Sequence, residues 1–203
     1  MPHLGRKRII DTRDHQDYIR LSSLELVASE IYDNKIEGSV AELGVYKGDF
    51  AKYINEIFYD RKLYLFDTFD GFDTRDINVD TKNNFSVSET DHFADTTVKI
   101  VLSKMKHPEN CVIKRGYFPQ TAEDIKENEN FAFVSIDADL YSPIYNGLQF
   151  FYPRLARGGY IFVHDYNNLY YRGAKEAVKQ FCSENSINYL PLSDKSGTCV
   201  VMK

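Results

Sequence analysis

Apolar residues fall along this chain in two rhythms. Leu21, Leu24, Val27, Ala28 and Ile31 recur at three- and four-residue spacing, which predicts a helix with one buried stripe. The same spacing returns at Ile54, Ile57 and Phe58, at Ile144, Leu148 and Phe151, and at Ala174, Ala177, Val178 and Phe181. Between these stretches lie short, nearly continuous apolar runs: "SVAEL" before a glycine-spaced turn, "KLYLF" ending at Asp67, "CVIKRGYFP" from Cys111, "FAFVSI" ending at Asp137, and "GGYIFV" from Gly158. Such runs read as strands buried on both faces. "INYLPL" and "TCVVMK" close the chain, with "SDKSG" between them as a hairpin turn. The alternation predicts an α/β fold with a mostly parallel sheet, helices on both faces and an antiparallel C-terminal hairpin strand.

One stretch breaks both rhythms. Residues 73–98 are polar and long for a connection, so they read as a lid or substrate loop, or as a disordered segment. Phe85, His92 and Phe93 give it the mix of aromatic and polar groups that suits a sugar. Residues 1–38 read as an N-terminal helical region. The whole of 1–203 reads as one domain, since 203 residues suffice for one substantial core.

Composition narrows the partners. A net charge of −5 argues against nucleic acid, which wants a basic face. The single basic cluster, "GRKRII" from Gly5 to Ile10, reads as solvated charge. No apolar run reaches the length of a membrane span, and the N-terminus lacks the apolar stretch of a secretory signal. Cys111, Cys182 and Cys199 are far apart and odd in number, so they suggest neither disulfides nor zinc. A reduced cytoplasmic setting is expected, with the cysteines as small core residues.

The chemistry sits where strands end. Asp67, Asp137, Asp139 and Asp165 each follow an apolar run. One such acid alone is most simply a cap on the next helix or turn. Several together are costly to bury without a cation or donors. In open parallel sheets ligands bind beyond the carboxyl ends of the strands, so these acids are expected to share one crevice. The first turn, "ELGVYKG" from Glu42 to Gly48, allows a tight bend and close approach of a ligand to the backbone. It lacks the G-x-G-x-x-G pattern of a pyrophosphate cradle. Asp67, 25 residues beyond Glu42, is placed to accept from ribose hydroxyls. A nucleoside ligand without a pyrophosphate follows.

The phrases "VAELGVYKGDFAKYIN", "LYLFDTFDGF", "GYFPQT", "SIDADLYSPIYNGLQFFYPRLARGGYIFVHDY" and "GAKEAV" resemble the macrocin O-methyltransferase (TylF-type) family of S-adenosylmethionine-dependent enzymes, over most of the chain from about Ser39 to Val178. The turn "ELGVYKG" is also similar to that of the metal-dependent catechol O-methyltransferases. The resemblance implies a Rossmann-like class I methyltransferase fold with a seven-stranded sheet. It implies a sugar hydroxyl as acceptor, on a nucleotide sugar, surface-glycan precursor or natural-product glycoside. It implies a divalent cation, typically magnesium. By position, Glu42, Gly44, Tyr46 and Gly48 would hold the methionine end of the cofactor together with Asp137. Asp67 and Thr68 would hold the ribose, and Gly116, Tyr117 and Phe118 would lie near the adenine. Asp137 and Asp165 would be metal ligands, 28 residues apart as in the catechol enzymes.

The family commonly has two acids before the tyrosine that ends the "VHDY" strand; here His164 replaces the first. His164 is open to three readings: a third metal ligand that shifts preference towards manganese, a general base, or a core histidine with a partner. The catechol enzymes' lysine position is Leu140 here, so Asp139 or His164 is the candidate base. Tyr141 and Tyr166 read as pocket walls or donors, since an unperturbed tyrosine titrates near 10. Two rival functions stay open. One is a fold that binds S-adenosylmethionine without methyl transfer. The other is a short-chain dehydrogenase, suggested by Tyr171 and Lys175 in a Tyr-x-x-x-Lys arrangement. A dimer is the default oligomer.

Overall fold

The computed structural model describes residues 17–203. The basic cluster Gly5–Ile10 and the first part of the expected N-terminal helical region lie outside the described residues. Seven strands alternate with six helices: α1 (Tyr18–Asp33), β1 (Ser39–Leu43), α2 (Ala51–Ile57), β2 (Leu63–Asp67), α3 (Thr74–Lys82), α4 (Val98–Lys104), β3 (Cys111–Arg115), β4 (Phe131–Ile136), α5 (Tyr141–Arg154), β5 (Leu155–Val163), α6 (Arg172–Asn185), β6 (Tyr189–Pro191) and β7 (Cys199–Met202). The strands form one sheet in the order β3-β2-β1-β4-β5-β7-β6. β1 to β5 pair in parallel, and β7 runs antiparallel to both β5 and β6. This is the expected fold.

Every residue of β1 and β4 is buried, because helices cover both faces. On one face Phe66, Phe131, Ile144, Phe151, Ala177 and Phe181 bring α5 and α6 onto the sheet. On the other, Leu24, Ile31, Ile54, Phe58, Phe133 and Phe162 bring α1 and α2. Phe133 and Val134 join opposite clusters, as the two-residue repeat of a strand requires. The chain leaves β1 for β2 and β3 on one side, and β4 and β5 lie on the other, so a crevice opens above the β1–β4 boundary.

The polar segment 73–98 is ordered and holds α3, whose buried residues are Asp76 and Asp80. Asp73 caps the helix by accepting from the Arg75 backbone N–H. Asp80 anchors it: Oδ1 accepts from the Tyr141 N–H at 3.0 Å and Oδ2 from the Ser86 hydroxyl at 2.9 Å. The buried side of α3 is thus polar, which an apolar periodicity does not register. α4 buries Val101 alone, too little to show as a periodic stripe. Among the described residues, no helix is long and apolar enough to cross a membrane.

Candidate active site

Register builds the site. Ile136 pairs with Val163, so the next residues, Asp137 and His164, stand side by side; the His164 N–H donates to the Ile136 carbonyl at 2.8 Å. His164 Nδ1 lies 3.0 Å from Asp137 Oδ1 and 3.1 Å from Asp165 Oδ2. Asp139 and Asp165 both have φ of 57°, a left-handed conformation that aspartate tolerates and that turns the chain sharply past the strand end. Asp137, Asp139, His164 and Asp165 all line one cavity of about 470 Å³ with Glu42, Gly44, Tyr46 and Asp67. The strand-end acids do converge.

The largest addition is Arg20, from α1. It is 4% exposed. Its guanidinium donates to Asp137 Oδ2 at 2.9 Å and to Ser135 Oγ at 3.2 Å, and lies 3.7 Å over the Phe50 ring. A lone arginine in an amphipathic helix reads as a solvated charge, so no pattern in the sequence points to it. Asp17 and Asp194 are a second addition: one ligand atom from each lies within 4.8 Å of His164. Asp194 is tied to Thr198 through that residue's N–H and hydroxyl, both at 2.5 Å.

Charge is unevenly shared. Burial opposes ionisation of Asp137, but His164 and Arg20 outweigh it and hold the carboxyl well below the usual range. Burial likewise opposes the His164 charge; Asp137 prevails and the imidazole is pushed up to about 10. Burial, then Asp165 and Asp137, push the Asp139 carboxyl well above the usual range. Burial and Asp137 do the same to Glu42, whose Oε2 is buried without a hydrogen-bond partner among the described residues.

Several residues carry structural duties that the sequence did not display. Gly44 has φ of +85°, and a Cβ there would meet the Asp137 carbonyl oxygen at 2.0 Å. Its close neighbour is therefore the β4 backbone. Gly48 packs on Val101 and Met105. Asp67 clamps the first turn: Oδ2 accepts from the Val45 and Tyr46 N–H groups at 2.7 and 2.8 Å, and Oδ1 from Phe69 at 2.6 Å. The Thr68 hydroxyl also stands 3.5 Å from Oδ1, so at most one acceptor direction on that oxygen stays open to a ribose. Thr68 donates to the Gly71 carbonyl at 2.6 Å. Phe118 lines the cavity but is 4% exposed and packs on Phe66 and Phe151 in the core. Gly116 and Tyr117 line the cavity beside it.

The aromatic walls match the expectation at Phe93 and differ from it at Tyr141, Tyr166 and Phe85. Tyr166 donates to the Tyr189 hydroxyl and Tyr141 to Gln180, and neither lines the cavity. Tyr46, Phe72, Phe93 and Tyr171 do, with Phe93 5.1 Å from the Tyr46 ring and 5.3 Å from that of Phe72. Phe85 instead packs on Tyr141 at 5.4 Å, and His92 on Phe72 at 6.1 Å. Tyr171 lines the cavity without Lys175, whose ammonium donates to Asn167 at 3.3 Å. The dehydrogenase pair is not assembled there.

A nucleoside-sized cavity at the switch point of a parallel sheet with an antiparallel last strand defines a class I methyltransferase architecture. Within that class, the macrocin-O-methyltransferase (TylF) family profile matches residues 17–203, and the chain belongs to that family of O-methyltransferases. Among solved structures, the chain is similar to the O-methyltransferase NovP, with TM-score 0.74 and 19% identity over 92% of this chain and 80% of that one. It is similar to the calicheamicin methyltransferase CalS11, with TM-score 0.72 and 20% identity over 94% and 80%. The O-methyltransferase TomG from Streptomyces achromogenes, solved with S-adenosylmethionine, matches with TM-score 0.60 and 10% identity over 89% and 79%. No curated protein sequence matches.

Proposed function

We propose that the protein methylates a sugar hydroxyl, using S-adenosylmethionine and a divalent cation held by Asp137, His164 and Asp165. The observation that carries the cation is the spacing of three donor atoms from two strand ends: His164 Nδ1 stands 3.0 and 3.1 Å from oxygens of Asp137 and Asp165, and a cation there would displace the proton that the imidazole shares with them. Neighbouring ligands of a six-coordinate cation bound at about 2.1 Å are about 3.0 Å apart. An imidazole nitrogen among carboxylates suits manganese better than magnesium. CalS11 is described as a TDP-rhamnose 3'-O-methyltransferase, which supports a sugar-containing acceptor.

When bound, the cofactor supplies an activated methyl group, and the cation acidifies and orients the acceptor hydroxyl. The chain's own residues do the rest. Glu42 would hold the methionine ammonium through its unpartnered carboxyl oxygen, and Asp67 would hold the ribose through Oδ1. Arg20 fixes the Asp137 carboxylate by one oxygen and leaves the other facing His164. Tyr46, Phe72, Phe93 and Tyr171 exclude water from the acceptor side. Asp139, beside Asp165 in the cavity, would take the hydroxyl proton once a bound cation offsets the Asp165 and Asp137 charges that keep its carboxyl protonated. Segment 73–98 serves as the lid, and holding the two reactants in line supplies on the order of 7–11 kcal/mol of the barrier.

The test is methyl transfer to a panel of glycosides and nucleotide sugars with manganese or magnesium, read by mass. Asp137→Ala and Asp165→Ala are expected to lose transfer while still binding S-adenosylhomocysteine. Asp139→Asn is expected to lower kcat about 10²–10⁴-fold. Full turnover in excess chelator would remove the cation. Cofactor binding with no transfer to any acceptor would favour a binding protein.

A further inference from the structure

The strand-end acids do not account for Asp76. It lies in the first turn of α3, is 6% exposed, and lines the cavity with Gly116, Tyr117, Phe118 and Pro143. Its Oδ1 accepts from the Tyr117 hydroxyl at 3.1 Å, and its Oδ2 has no hydrogen-bond partner among the described residues. Burial pushes the carboxyl up to about 7. Arg75 next to it is already committed: its guanidinium forks onto Asp73 at 2.8 Å and lies 3.5 Å over the Tyr117 ring.

A nucleoside whose ribose meets Asp67 at the end of β2 extends towards β3, the next strand outward. Its base then stands among Gly116, Tyr117 and Phe118, which follow β3. Phe118 and Pro143 offer that base only apolar surface, and the Thr68 hydroxyl is already spent on Gly71. Adenine carries an exocyclic amine with two N–H donors, and buried donors require acceptors. We propose that Asp76 is the residue that selects adenine, its open carboxylate oxygen accepting from the exocyclic amine. This rests on the methyltransferase function proposed above and deepens it. A 6-oxo purine presents a lone pair at the same place, so the carboxylate discriminates by repulsion as well as attraction.

Titration calorimetry on the full chain with S-adenosylhomocysteine and S-inosylhomocysteine tests the assignment. One charge-assisted hydrogen bond predicts that the wild type prefers the adenine compound by about 10- to 100-fold. Asp76→Asn can turn its amide to donate to the 6-oxo group, so it is expected to bind the inosine compound more tightly and close most of that gap. A purely structural role would weaken both compounds alike. An unchanged ratio in Asp76→Asn overturns the assignment. Should that variant not fold, equal affinity of the wild type for S-adenosylhomocysteine and its N6,N6-dimethyl analogue overturns it instead. Failure of the wild type to bind S-adenosylhomocysteine at all overturns the methyltransferase function and the assignment with it.

Discussion

A carboxyl that lies in the protein with only one donor resists ionisation, and Asp76 shows the consequence for stability. Its folded pKa, about 7, exceeds the unfolded value near 3.9, so folding takes up a proton between those limits. The associated stability is full below about pH 4 and is lost as pH rises through about 7. Asp76→Asn should therefore be more stable than the wild type at pH 8, by up to about 4 kcal/mol, with the difference vanishing near pH 4. Denaturant unfolding of the ligand-free protein at both pH values checks this; a pH-independent difference would contradict it. At this scale the sequence revealed the acids that terminate apolar runs, because an abrupt change of polarity at a strand end is visible in one dimension. It concealed Arg20 and Asp76, whose burial depends on a helix being laid over the crevice by contacts distant in the chain. It also could not reveal that Gly44 accommodates the Asp137 carbonyl, since that neighbour arrives from β4.

Among the elements, α3 is held by a carboxylate where most helices are held by an apolar stripe. Asp80 is fully buried, bonding the start of α5 through the Tyr141 N–H and the segment beyond α3 through Ser86, which reaches Ser88 at 3.0 Å. Asp80→Ala leaves that N–H without its cap, at a cost of about 1–2 kcal/mol. The expected outcome is faster tryptic cleavage after Lys82 with the sheet intact, and weaker adenine binding because Asp76 rides on the same helix. Cleavage at the wild-type rate would mean that α3 is anchored elsewhere. Strands β1, β2, β4, β5 and β7 and the α1, α2, α5 and α6 helices were legible because each buries a run or stripe of apolar residues. α3 was not, because what it buries is charged.

Across the whole molecule, the cavity gathers nine carboxyl groups, of which burial keeps Glu42 and Asp139 from ionising readily, against the Arg20 guanidinium and the His164 imidazole among the described residues. Such a field favours a cationic ligand and is screened by salt over about 10 Å at 0.1 M. S-adenosylmethionine carries a sulfonium that S-adenosylhomocysteine lacks. Raising salt is therefore expected to weaken binding of the methyl donor more than that of its demethylated product, by calorimetry at two ionic strengths; equal weakening would show that the field is neutralised locally. The parallel sheet that frames this cavity followed from strand–helix alternation, whereas the strand order is seen only in the fold and the cavity's sign came from residues on six separate segments. One feature ties the cavity to a helix end. Arg20 belongs to the opening turn of α1, and Asp17 before it makes no side-chain cap. Helix ends loosen well before a core melts. Heating should thus unseat the guanidinium from Asp137 while the strands remain paired, so the protein is expected to go silent some degrees below its melting point and to regain function on cooling.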